Sequence, residues 1–434
     1  MGRHQNMTDK KTSKMEKFYS KSLDNRLEIV SEFAELSDDE REVLNSQIKN
    51  TEKADKMSEN VISSTFFPLS VATNFKINGK DYLVPMAIEE ASVVAAASNA
   101  AKSCYESGGF EAKASEQIMI GQVQIVNVKN TAQAKTKIME NAGDILKLAN
   151  AQDETLVSFG GGAKKIDVKI FRKHKMLVVY LYVDVKDAMG ANAINTMAEA
   201  VSPKLEELSQ GDARLRILSN LATERIVKAK AIWKKEILEK NSKLGLSGDE
   251  IIDRILDAQT FAEIDIYRAC THNKGIMNGI DAVAIATGND FRALEAGAHC
   301  YASLEGNYKP LTKFHKNQSG DLVGEIEIPL AVGLVGGATK THPIAKIAMK
   351  ILGVKSAKEL GCVIASVGLA QNFSALRALA NEGIQKGHMN LHARNIAIMA
   401  GASEEEADKV AERMINDNCV KVDFAKKIVM ELRE

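Results

Sequence analysis

Apolar residues near the start of the chain recur every three or four positions, which is the period of a helix with one buried face. Leu23, Leu27, Val30 and Phe33 form such a stripe. Ser37 then precedes the acidic run "DDE", a pattern typical of the N-cap and first turn of a helix. The pattern therefore predicts two consecutive amphipathic helices before the first strand.

Strand patterns appear farther along the chain. Asn78-Gly79 lies between two apolar runs in "NFKINGKDYLVPM", which predicts a β-hairpin with a tight turn. Between residues 116 and 185, "GQVQIVNV", "KKIDVKIF" and "MLVVYLYVDV" alternate or are rich in β-branched residues, and a helical pattern separates the first two. This β-α-β-β order predicts a small α/β domain.

The remaining patterns are mainly helical. "IEEASVVAAASNAAKSC" predicts an alanine-rich helix that can pack closely against a neighbour, and residues 225–300 show helical spacing interrupted by glycines. "AKELGCVIASVGLAQNFSALRALANEG" predicts one long helix or a helix pair, with a break at Gly383 and a small helical unit after it. Strands and helices together predict an α+β protein.

The composition narrows the class of protein. At 434 residues the chain is long enough for two or three domains, and its 57 Lys and Arg residues balance 57 Asp and Glu residues. This balance argues against a protein organised around nucleic acid or an anionic membrane. Five scattered cysteines without a CxxC pair indicate a reducing cytoplasm, no disulfide framework and no zinc site. The polar N-terminus and the short apolar runs predict a soluble protein without a signal peptide.

The common nucleotide and metalloprotease motifs are missing from the sequence. It has no GxGxxG after a strand, no GxxxxGK[ST] and no HExxH. Two glycine-rich stretches, at Gly160–Gly162 and Gly336–Gly337, fit no nucleotide fingerprint. Tight turns or close packing explain them as well as a binding role does.

Four clusters could carry chemistry. The first, "VPMAIEEASVV", places Glu89 and Glu90 among apolar residues at a predicted helix start, so one of the two carboxyl groups is expected to be buried. A buried carboxyl can donate a proton near neutral pH, because burial disfavours its charged form. A helix-dipole or N-cap acid is an equally good interpretation.

The second and third clusters are "THNKGIMNGID" and "ATGND". The two glycines of "THNKGIMNGID" predict a tight, partly apolar loop around Lys274 rather than a helix. A buried lysine needs a carboxylate partner, which Asp290 could supply, and a fixed ammonium group can stabilise an oxyanion. The alternative interpretation is a structural ion pair.

The fourth cluster is "GHMNLHARN". His388 and His392 are four residues apart and would share one face of a helix. A metal site is disfavoured because no acidic or thiol third ligand lies nearby, whereas a single histidine acting as a general acid is plausible. A surface helix with incidental histidines is the alternative. Together, the four clusters suit reduction of, or addition to, a carbonyl group.

Long blocks spread over nearly the whole chain resemble the class II 3-hydroxy-3-methylglutaryl-coenzyme A (HMG-CoA) reductases. Among them, in the family's order, are "ENVI", "VPMAIEEASVVAAAS", "DAMGANAINTMAEA", "RILSNLATER", "THNKGIMNGIDAVAIATGND", "VGLVGGATKTHPIAK" and "GIQKGHMNLHARN". Ala91 departs from the proline that is usual after the paired glutamates, and the N-terminus is extended and rich in lysine.

The resemblance implies a domain organisation and a reaction. The expected fold is α+β, a large mainly helical domain with an inserted small α/β cofactor domain, non-Rossmann and ferredoxin-like, and a C-terminal helical flap. The expected reaction is a two-step, four-electron reduction of HMG-CoA to mevalonate and coenzyme A, or its reverse, through mevaldyl-CoA and mevaldehyde. The implied boundaries are 1–115 and 225–382 for the large domain, 116–224 for the small domain and 383–434 for the flap.

The resemblance also implies roles for the four clusters. Lys274 would polarise the thioester carbonyl and hold the oxyanion, and Asp290 would hydrogen-bond to this lysine and tune it. Glu90 would donate the proton, and His388 would protonate the departing coenzyme A thiolate. The substrate carboxylate would be bound by Arg268 with help from Ser92, Asn220 and Asn278.

The expected cofactor is a nicotinamide dinucleotide on the small domain, with no metal. Asp153 would contact the adenine ribose and repel a 2′-phosphate, which favours NADH, whereas the nearby Lys164 and Lys165 could serve the phosphate of NADPH. The backbone of the "DAMGAN" segment would approach the dinucleotide, through Asp187, Met189, Gly190, Ala191 and Asn192.

The resemblance further implies a cytoplasmic homodimer or higher oligomer whose active sites are shared between subunits, with "ENVI" in the dimer-associated region. Its small-molecule partners would be HMG-CoA, mevalonate and coenzyme A, and neither nucleic acid nor a membrane is expected. Two alternatives stay open, which are a reductase of another acyl-CoA thioester and a non-catalytic protein that retains the fold.

Overall fold

The computed structural model of the chain describes residues 20–34, 36–46, 54–55, 57–242, 244–336, 342–382, 393–417 and 419–433. The chain divides into two compact units, Met1–Pro68 and Leu69–Glu434.

The first unit contains the two predicted helices, α1 (Leu23–Ala34) and α2 (Asp38–Ser46). Ser37 begins α2 with a reciprocal pair of hydrogen bonds, since its N–H donates to Glu40 Oε2 (2.8 Å) and its Oγ accepts from the Glu40 N–H (3.3 Å). Both helices are therefore confirmed, although the side chain of Phe33 lies outside the described part of the chain.

The second unit combines two sheets with a larger set of helices. Its strands are β1 (Leu69–Ile77), β2 (Lys80–Ala87), β3 (Phe110–Ala114), β4 (Ile118–Val126), β5 (Gly162–Phe171), β6 (Met176–Asp184), β7 (Asp212–Ser219), β8 (Ile226–Trp233), β9 (Thr312–Lys316) and β10 (Leu322–Pro329). Its helices are α3 (Val93–Cys104), α4 (Thr131–Glu140), α5 (Ala142–Asn150), α6 (Glu154–Ser158), α7 (Ala191–Ser209), α8 (Lys235–Lys240), α9 (Gly248–Ile264), α10 (Ile266–Ala286), α11 (Phe291–Tyr301), α12 (Pro343–Leu352), α13 (Ala357–Arg377), α14 (393–399), α15 (Glu404–Asn416) and α16 (Val422–Arg433).

The larger sheet has six strands in the order β2-β1-β3-β8-β10-β9. The predicted hairpin is confirmed, because β1 and β2 pair antiparallel and Asn78 and Gly79 both have positive φ, at 50° and 80°. The sheet packs on α13, where the Trp233 ring stacks on Phe373 with centroids 4.0 Å apart. Trp233 is fully buried and donates from Nε1 to Ala100 O at 3.1 Å, so its polar atom is also satisfied.

The smaller sheet has four antiparallel strands in the order β5-β6-β4-β7. With the intervening helices, the chain order is β-α-β-β-α-β, which is the ferredoxin-like arrangement. The predicted β-α-β-β part is confirmed. The pattern missed β7, an edge strand whose residues are mostly exposed, because such a strand has no regular alternation of apolar and polar positions.

This small domain is inserted between two neighbouring strands of the larger sheet. The chain leaves at the end of β3 and returns at the start of β8, and these strands pair antiparallel with Ala114 opposite Val227. Its core is separate from that of the larger sheet and is formed by one face of β4–β6 and by α4, α5 and α7.

The loop prediction for residues 271–281 is wrong, because the whole segment lies inside the 21-residue helix α10. The glycines are explained by packing against α13. A Cβ on Gly279 would lie 3.0 Å from Val367 Cγ1 and 3.1 Å from Gln371 Cβ, and one on Gly275 would lie 3.8 Å from Ala375 Cβ. The glycines allow the two helices to approach closely, and this tertiary contact outweighs their low helix propensity.

Residues 357–377 form one helix, α13, and a π-helical turn, Ala378–Glu382, continues it. The sequence left open whether this segment forms one long helix or a helix pair, and the structure has one long helix. The segment Ala357–Asn381 is long and apolar enough to cross a membrane, but 78% of its apolar window is buried inside the protein. It is therefore accounted for as a core helix.

The predicted C-terminal helices are also present. α15 begins at Ser403 with a capping box, in which Ser403 and Glu406 exchange hydrogen bonds of 2.8 and 3.2 Å, and α14, α15 and α16 share a small apolar core. The break predicted at Gly383 lies outside the described residues.

Candidate active site

Glu90 and Lys274 are brought together by two different elements. Glu90 lies in the bend that joins β2 to α3, and Lys274 projects from the middle of α10. Lys274 Nζ donates to Glu90 Oε2 at 3.1 Å, with 60% and 39% of the two side chains exposed. The prediction of a buried lysine is therefore wrong, and so is the prediction that Glu89 or Glu90 is buried, because the bend leaves Glu89 exposed and Glu90 partly exposed.

The residue beside this pair has an unusual backbone. Ser92 precedes the first turn of α3 with φ 75° and ψ −20°, in the left-handed region that non-glycine residues rarely adopt. Such a conformation costs about 1–3 kcal/mol and tends to occur at functional sites. The Ser92 hydroxyl makes no capping hydrogen bond to the first turn of α3.

Lys274 is held in place by its two preceding residues. His272 is fully buried and its Nε2 lies 2.6 Å from Thr312 Oγ1, while Asn273 bridges Lys309 O (2.9 Å) and Leu311 N (3.0 Å). Burial, with a smaller contribution from the Arg268 charge, lowers the pKa of His272 to about 3, so the imidazole is neutral. The sequence analysis did not single out this anchor, whose signal is the polar pair "HN" directly before Lys274.

Asp290 lies at the other end of α10 and does not contact Lys274. Its Oδ1 accepts hydrogen bonds from the Arg292 and Ala293 N–H groups (3.1 and 3.2 Å) and from Arg292 Nε (3.2 Å), so it caps α11. α10 separates the two residues, because Lys274 lies twelve residues, about 18 Å along the helix axis, before the helix ends at Ala286. The expected Lys274–Asp290 pair is therefore absent from the single chain, and helix geometry is the reason.

Asp290 instead lines a cavity of about 540 Å³ together with small-domain residues. The cavity brings together most of the predicted cofactor residues, and its lining includes Asp153, Ala188, Met189, Gly190, Ala191, Asn192, Asn289, Asp290, Arg292, Gly333 and Val335.

The start of α7 makes this cavity suitable for an anion. Gly190 is the N-cap of this 19-residue helix with φ 100°, and no side chain caps the first turn. The N–H groups of Ala191, Asn192 and Ala193 have no partner inside the helix, and all three residues line the cavity. Uncapped N–H groups and the helix dipole attract phosphate, so the residues present fit the pyrophosphate of a dinucleotide.

Asp153 and the two nearby lysines differ in their availability to a ligand. Asp153 lines the cavity and caps α6, with Oδ1 accepting from Leu156 N at 2.8 Å. Lys164 Nζ donates to the carbonyls of Gly160 and Gly161, each at 2.8 Å, and Lys165 Nζ lies 4.1 Å from the centroid of the Tyr182 ring. Both ammonium groups thus have partners within the small domain.

Asp187 does not line the cavity. Its Oδ1 accepts from the Ala357 N–H at 2.7 Å, at the start of α13, and its carbonyl accepts from Leu334 N at 2.8 Å. The carboxylate therefore fastens the small domain to the larger one. The remaining "DAMGAN" residues that were predicted to approach the dinucleotide do line the cavity.

Three of the predicted substrate residues are dispersed around α10 and α11. Asn278 follows Lys274 by four residues on α10 and shares its face. Arg268 lies in another cavity of about 350 Å³, where its Nε is buried with no hydrogen-bond partner among the described residues and desolvation lowers the pKa of its guanidinium. Asn220 is exposed at the end of β7, and a Cβ on Gly297 of α11 would lie only 2.7 Å from its carbonyl oxygen.

His388 and His392 lie outside the described residues. Within the part of the chain that the structure describes, no group of three or more His, Cys, Asp or Glu side chains is placed to hold a metal ion.

The comparison with a protein family covers most of the chain. The model of the family hydroxymethylglutaryl-coenzyme A reductase matches residues 22–393. The 3-hydroxy-3-methylglutaryl-coenzyme A reductase of Archaeoglobus fulgidus is 53% identical over 424 residues, 97% of this chain and 95% of the relative. A probable reductase of the same name from Borreliella burgdorferi is 38% identical over 387 residues, 87% of this chain and 86% of the relative.

A solved structure of a reductase of this name also matches nearly the whole chain. The class II 3-hydroxy-3-methylglutaryl-CoA reductase of Streptococcus pneumoniae, solved bound to NADPH in open conformations, superposes with a TM-score of 0.74 at 44% identity. The match covers 95% of this chain and 100% of the pneumococcal one.

Proposed function

The chain belongs to the hydroxymethylglutaryl-coenzyme A reductase family, and on this basis we propose how its residues carry out the reaction. The enzyme reduces 3-hydroxy-3-methylglutaryl-CoA to mevalonate and releases coenzyme A, using a nicotinamide cofactor. The thioester is first reduced to mevaldyl-CoA, which collapses to coenzyme A and mevaldehyde, and the aldehyde is then reduced to the alcohol. Each reduction builds negative charge on a carbonyl oxygen.

The single observation that supports this assignment of residues best is the Lys274–Glu90 pair. In both reductions the Lys274 ammonium would donate a hydrogen bond to the developing oxyanion, and a preorganised donor of this kind contributes about 3–4 kcal/mol. Glu90 Oε2 lies 3.1 Å from Nζ, so its carboxyl group, once protonated, is close enough to pass a proton to the same oxygen. His272 and Asn273 hold Lys274 in this position.

The substrate carboxylate would be bound near the same end of the site. Arg268 is the strongest candidate, because its buried Nε lacks a partner in the part of the chain that the structure describes, and an anion would satisfy it. Ser92 offers a hydroxyl beside Glu90, and Asn278 lies one helical turn beyond Lys274. Asn220, at the border of the small domain, would contribute from farther away.

The dinucleotide would bind in the cavity of about 540 Å³, with its pyrophosphate at the N-terminus of α7. When bound there, a reduced nicotinamide supplies the hydride for each of the two reductions. Met189, Gly190, Ala191 and Asn192 would contact it through their backbones. We assign Asp187 a structural part in this site, because its carboxylate is already bonded to Ala357 N.

Two copies of the chain would share each active site. The Lys274–Glu90 pair forms one half of the site, the Lys274 half-site, and the cavity that Asp290 lines forms the other, the cofactor half-site, beyond the C-terminal end of α10. In a homodimer with two-fold symmetry, the cofactor half-site of one subunit can face the Lys274 half-site of the other, and the arrangement closes after two copies. Asp290 would then tune the partner's lysine, which explains why the two residues do not pair within one chain.

His388, although outside the described residues, is proposed to protonate the coenzyme A thiolate as it leaves. An imidazole with a pKa near 7 suits this task, because it is a sufficiently strong acid and is regenerated at neutral pH. The helices after residue 392 would act as a flap that brings this histidine to the site. We also propose a cytoplasmic location.

Cofactor choice is expected to depend on Asp153. The two ribose hydroxyls of NADH can donate to its carboxylate, which would repel a 2′-phosphate, and the alternative phosphate ligands Lys164 and Lys165 are engaged elsewhere. Asp153→Ala should therefore raise kcat/KM with NADPH relative to NADH by about tenfold, the equivalent of about 1.4 kcal/mol. Asp153→Asn, which keeps the cap to Leu156 N but removes the charge, separates repulsion from local structure. A wild-type enzyme that strongly prefers NADPH would contradict the proposal for Asp153.

An absorbance assay of purified enzyme tests the function directly. Oxidation of NADH and of NADPH would be followed with HMG-CoA, acetyl-CoA, succinyl-CoA and free mevaldehyde as substrates. We expect turnover with HMG-CoA and mevaldehyde only, and two equivalents of dinucleotide consumed for each coenzyme A released. Turnover of another thioester at a comparable rate would favour a different acyl-CoA reductase, and no turnover would favour a non-catalytic protein.

A further inference from the structure

Arg225 is a fully buried arginine outside the residues assigned so far. It lies in the turn between β7 and β8 with 0% of its surface exposed. Burial lowers the pKa of its guanidinium to about 10, with partial compensation from the charges of Asp187 and Asp184, so the group is still protonated at neutral pH. A buried cation destabilises the fold unless its N–H groups are hydrogen-bonded. The groups that accept hydrogen bonds from Arg225 therefore show which segments its guanidinium holds together.

The partners are an amide side chain and three backbone carbonyls. Nε donates to Gln117 Oε1 at 2.8 Å, and Nη1 donates to Ala188 O (3.1 Å) and Met189 O (3.3 Å). Nη2 donates to Val332 O. The planar fork of the guanidinium thus joins the loop before α7 to the segment that follows β10, which belong to different domains.

These carbonyls belong to residues that line the proposed dinucleotide cavity of about 540 Å³ or lie next to its lining. Ala188 and Met189 line this cavity, and so does Gly333, which follows Val332. The two backbones are in close contact, because a Cβ on Gly333 would lie 2.6 Å from Met189 N. Gly333 N also donates to Asn289 Oδ1 at 2.8 Å. This hydrogen bond connects the segment after β10 to the residue that precedes Asp290.

We propose that Arg225 is a positioning residue for the dinucleotide. Its guanidinium fixes the carbonyls of Ala188 and Met189, so that the peptide groups leading into α7 present their N–H groups to the pyrophosphate. Through Val332 and Gly333, it also fixes the spacing between this loop and the Asn289–Asp290 segment. The proposal rests on the dinucleotide site assigned above, and it adds a group that touches neither cofactor nor substrate.

Arg225→Lys tests the proposal, because it keeps the charge but removes the planar fork. The direct measurement is a fluorescence titration of the purified variant with NADH, without turnover. We expect the Kd for NADH to rise at least about tenfold, about 1.4 kcal/mol, while the KM for HMG-CoA stays within about twofold. A role confined to fold stability would lower Tm without separating the two ligands.

Gln117→Leu is the matched control. It removes the hydrogen bond of the same buried guanidinium that does not involve the carbonyls of Ala188, Met189 or Val332, so it should lower Tm while leaving the Kd for NADH near the wild-type value. An equal increase in Kd for Arg225→Lys and Gln117→Leu would overturn the proposal.

Gly333→Ala gives a second route should Arg225→Lys fail to fold. Its Cβ would press on Met189 N and displace the same loop without touching the buried charge. We expect the same selective loss of NADH binding. Unchanged NADH binding in this variant, or equal weakening of NADH and HMG-CoA, would refute the role assigned to Arg225. Wild-type protein that fails to bind NADH would instead count against the proposed cofactor site.

Discussion

Lys274→Ala is expected to lower kcat/KM for HMG-CoA by about a hundredfold or more, since one oxyanion donor contributes about 3–4 kcal/mol. Reduction of free mevaldehyde should fall to a similar extent, because both reductions place negative charge on the oxygen beside this ammonium. The fold should be preserved, because Lys274 is exposed and the only hydrogen bond of its side chain in the described chain is to Glu90. The measurement is steady-state kinetics on the two substrates, with Tm as a check on folding.

Lys147→Ala is a suitable control for this experiment. Lys147 is 83% exposed on α5 and, among the residues that the structure describes, pairs only with Asp144 one turn away, so its removal should leave both rates unchanged. Retention of more than about a tenth of wild-type activity by Lys274→Ala would contradict the oxyanion role, since a tenfold change corresponds to only about 1.4 kcal/mol.

Two inactive variants, Lys274→Ala and Asp290→Ala, are expected to regain activity when their subunits are mixed. Each homodimer would be defective at both sites, whereas a mixed dimer would have one site that combines an intact Lys274 with an intact Asp290. Random pairing makes half of the dimers mixed with one working site each, so the expected recovery is about a quarter of wild-type activity. Coexpression with two different affinity tags would isolate the mixed dimer, for which half of wild-type activity is expected.

The decisive control pairs Lys274→Ala with Glu90→Gln. These two residues lie in the same half-site at 3.1 Å, so a mixed dimer still has one defect at each site and should not recover. Recovery with Glu90→Gln but not with Asp290→Ala would contradict the assignment of Asp290 to the partner's site. A monomeric wild-type enzyme with full activity would rule out shared sites altogether.

The elements that could be predicted from the sequence are those whose pattern depends only on residues close together along the chain. Ser37 identified the start of α2, Asn78-Gly79 identified the hairpin turn, and three alternating segments identified β4, β5 and β6. In each of these cases the side-chain period or the turn chemistry depends on neighbouring residues only. Glu90 and Lys274 could also be singled out as candidates, because both are charged residues in apolar surroundings.

What could not be predicted depends on contacts between distant segments. Gly275 and Gly279 suggested a loop, and only the approach of α13 explains why they are tolerated in a helix. That error had a consequence for the site, because a loop would allow Lys274 to meet Asp290 whereas a helix keeps them apart. Arg225 gave no local signal either, since its three carbonyl partners lie 36 to 107 residues away along the chain.

The insertion of the small domain between β3 and β8 has a consequence for the order of folding. The larger sheet cannot be completed until β8 has been synthesised, and an unfolded insert of this size would oppose the pairing by the entropy of closing a long loop. The insert has a core of its own, so it can fold as soon as β7 emerges from the ribosome. Once folded, it holds Ala114 and Val227 about 5 Å apart, the spacing of paired strands. We therefore expect the cofactor domain to act as a folding template that aligns β3 with β8, so that variants which weaken its core slow the assembly of the catalytic domain.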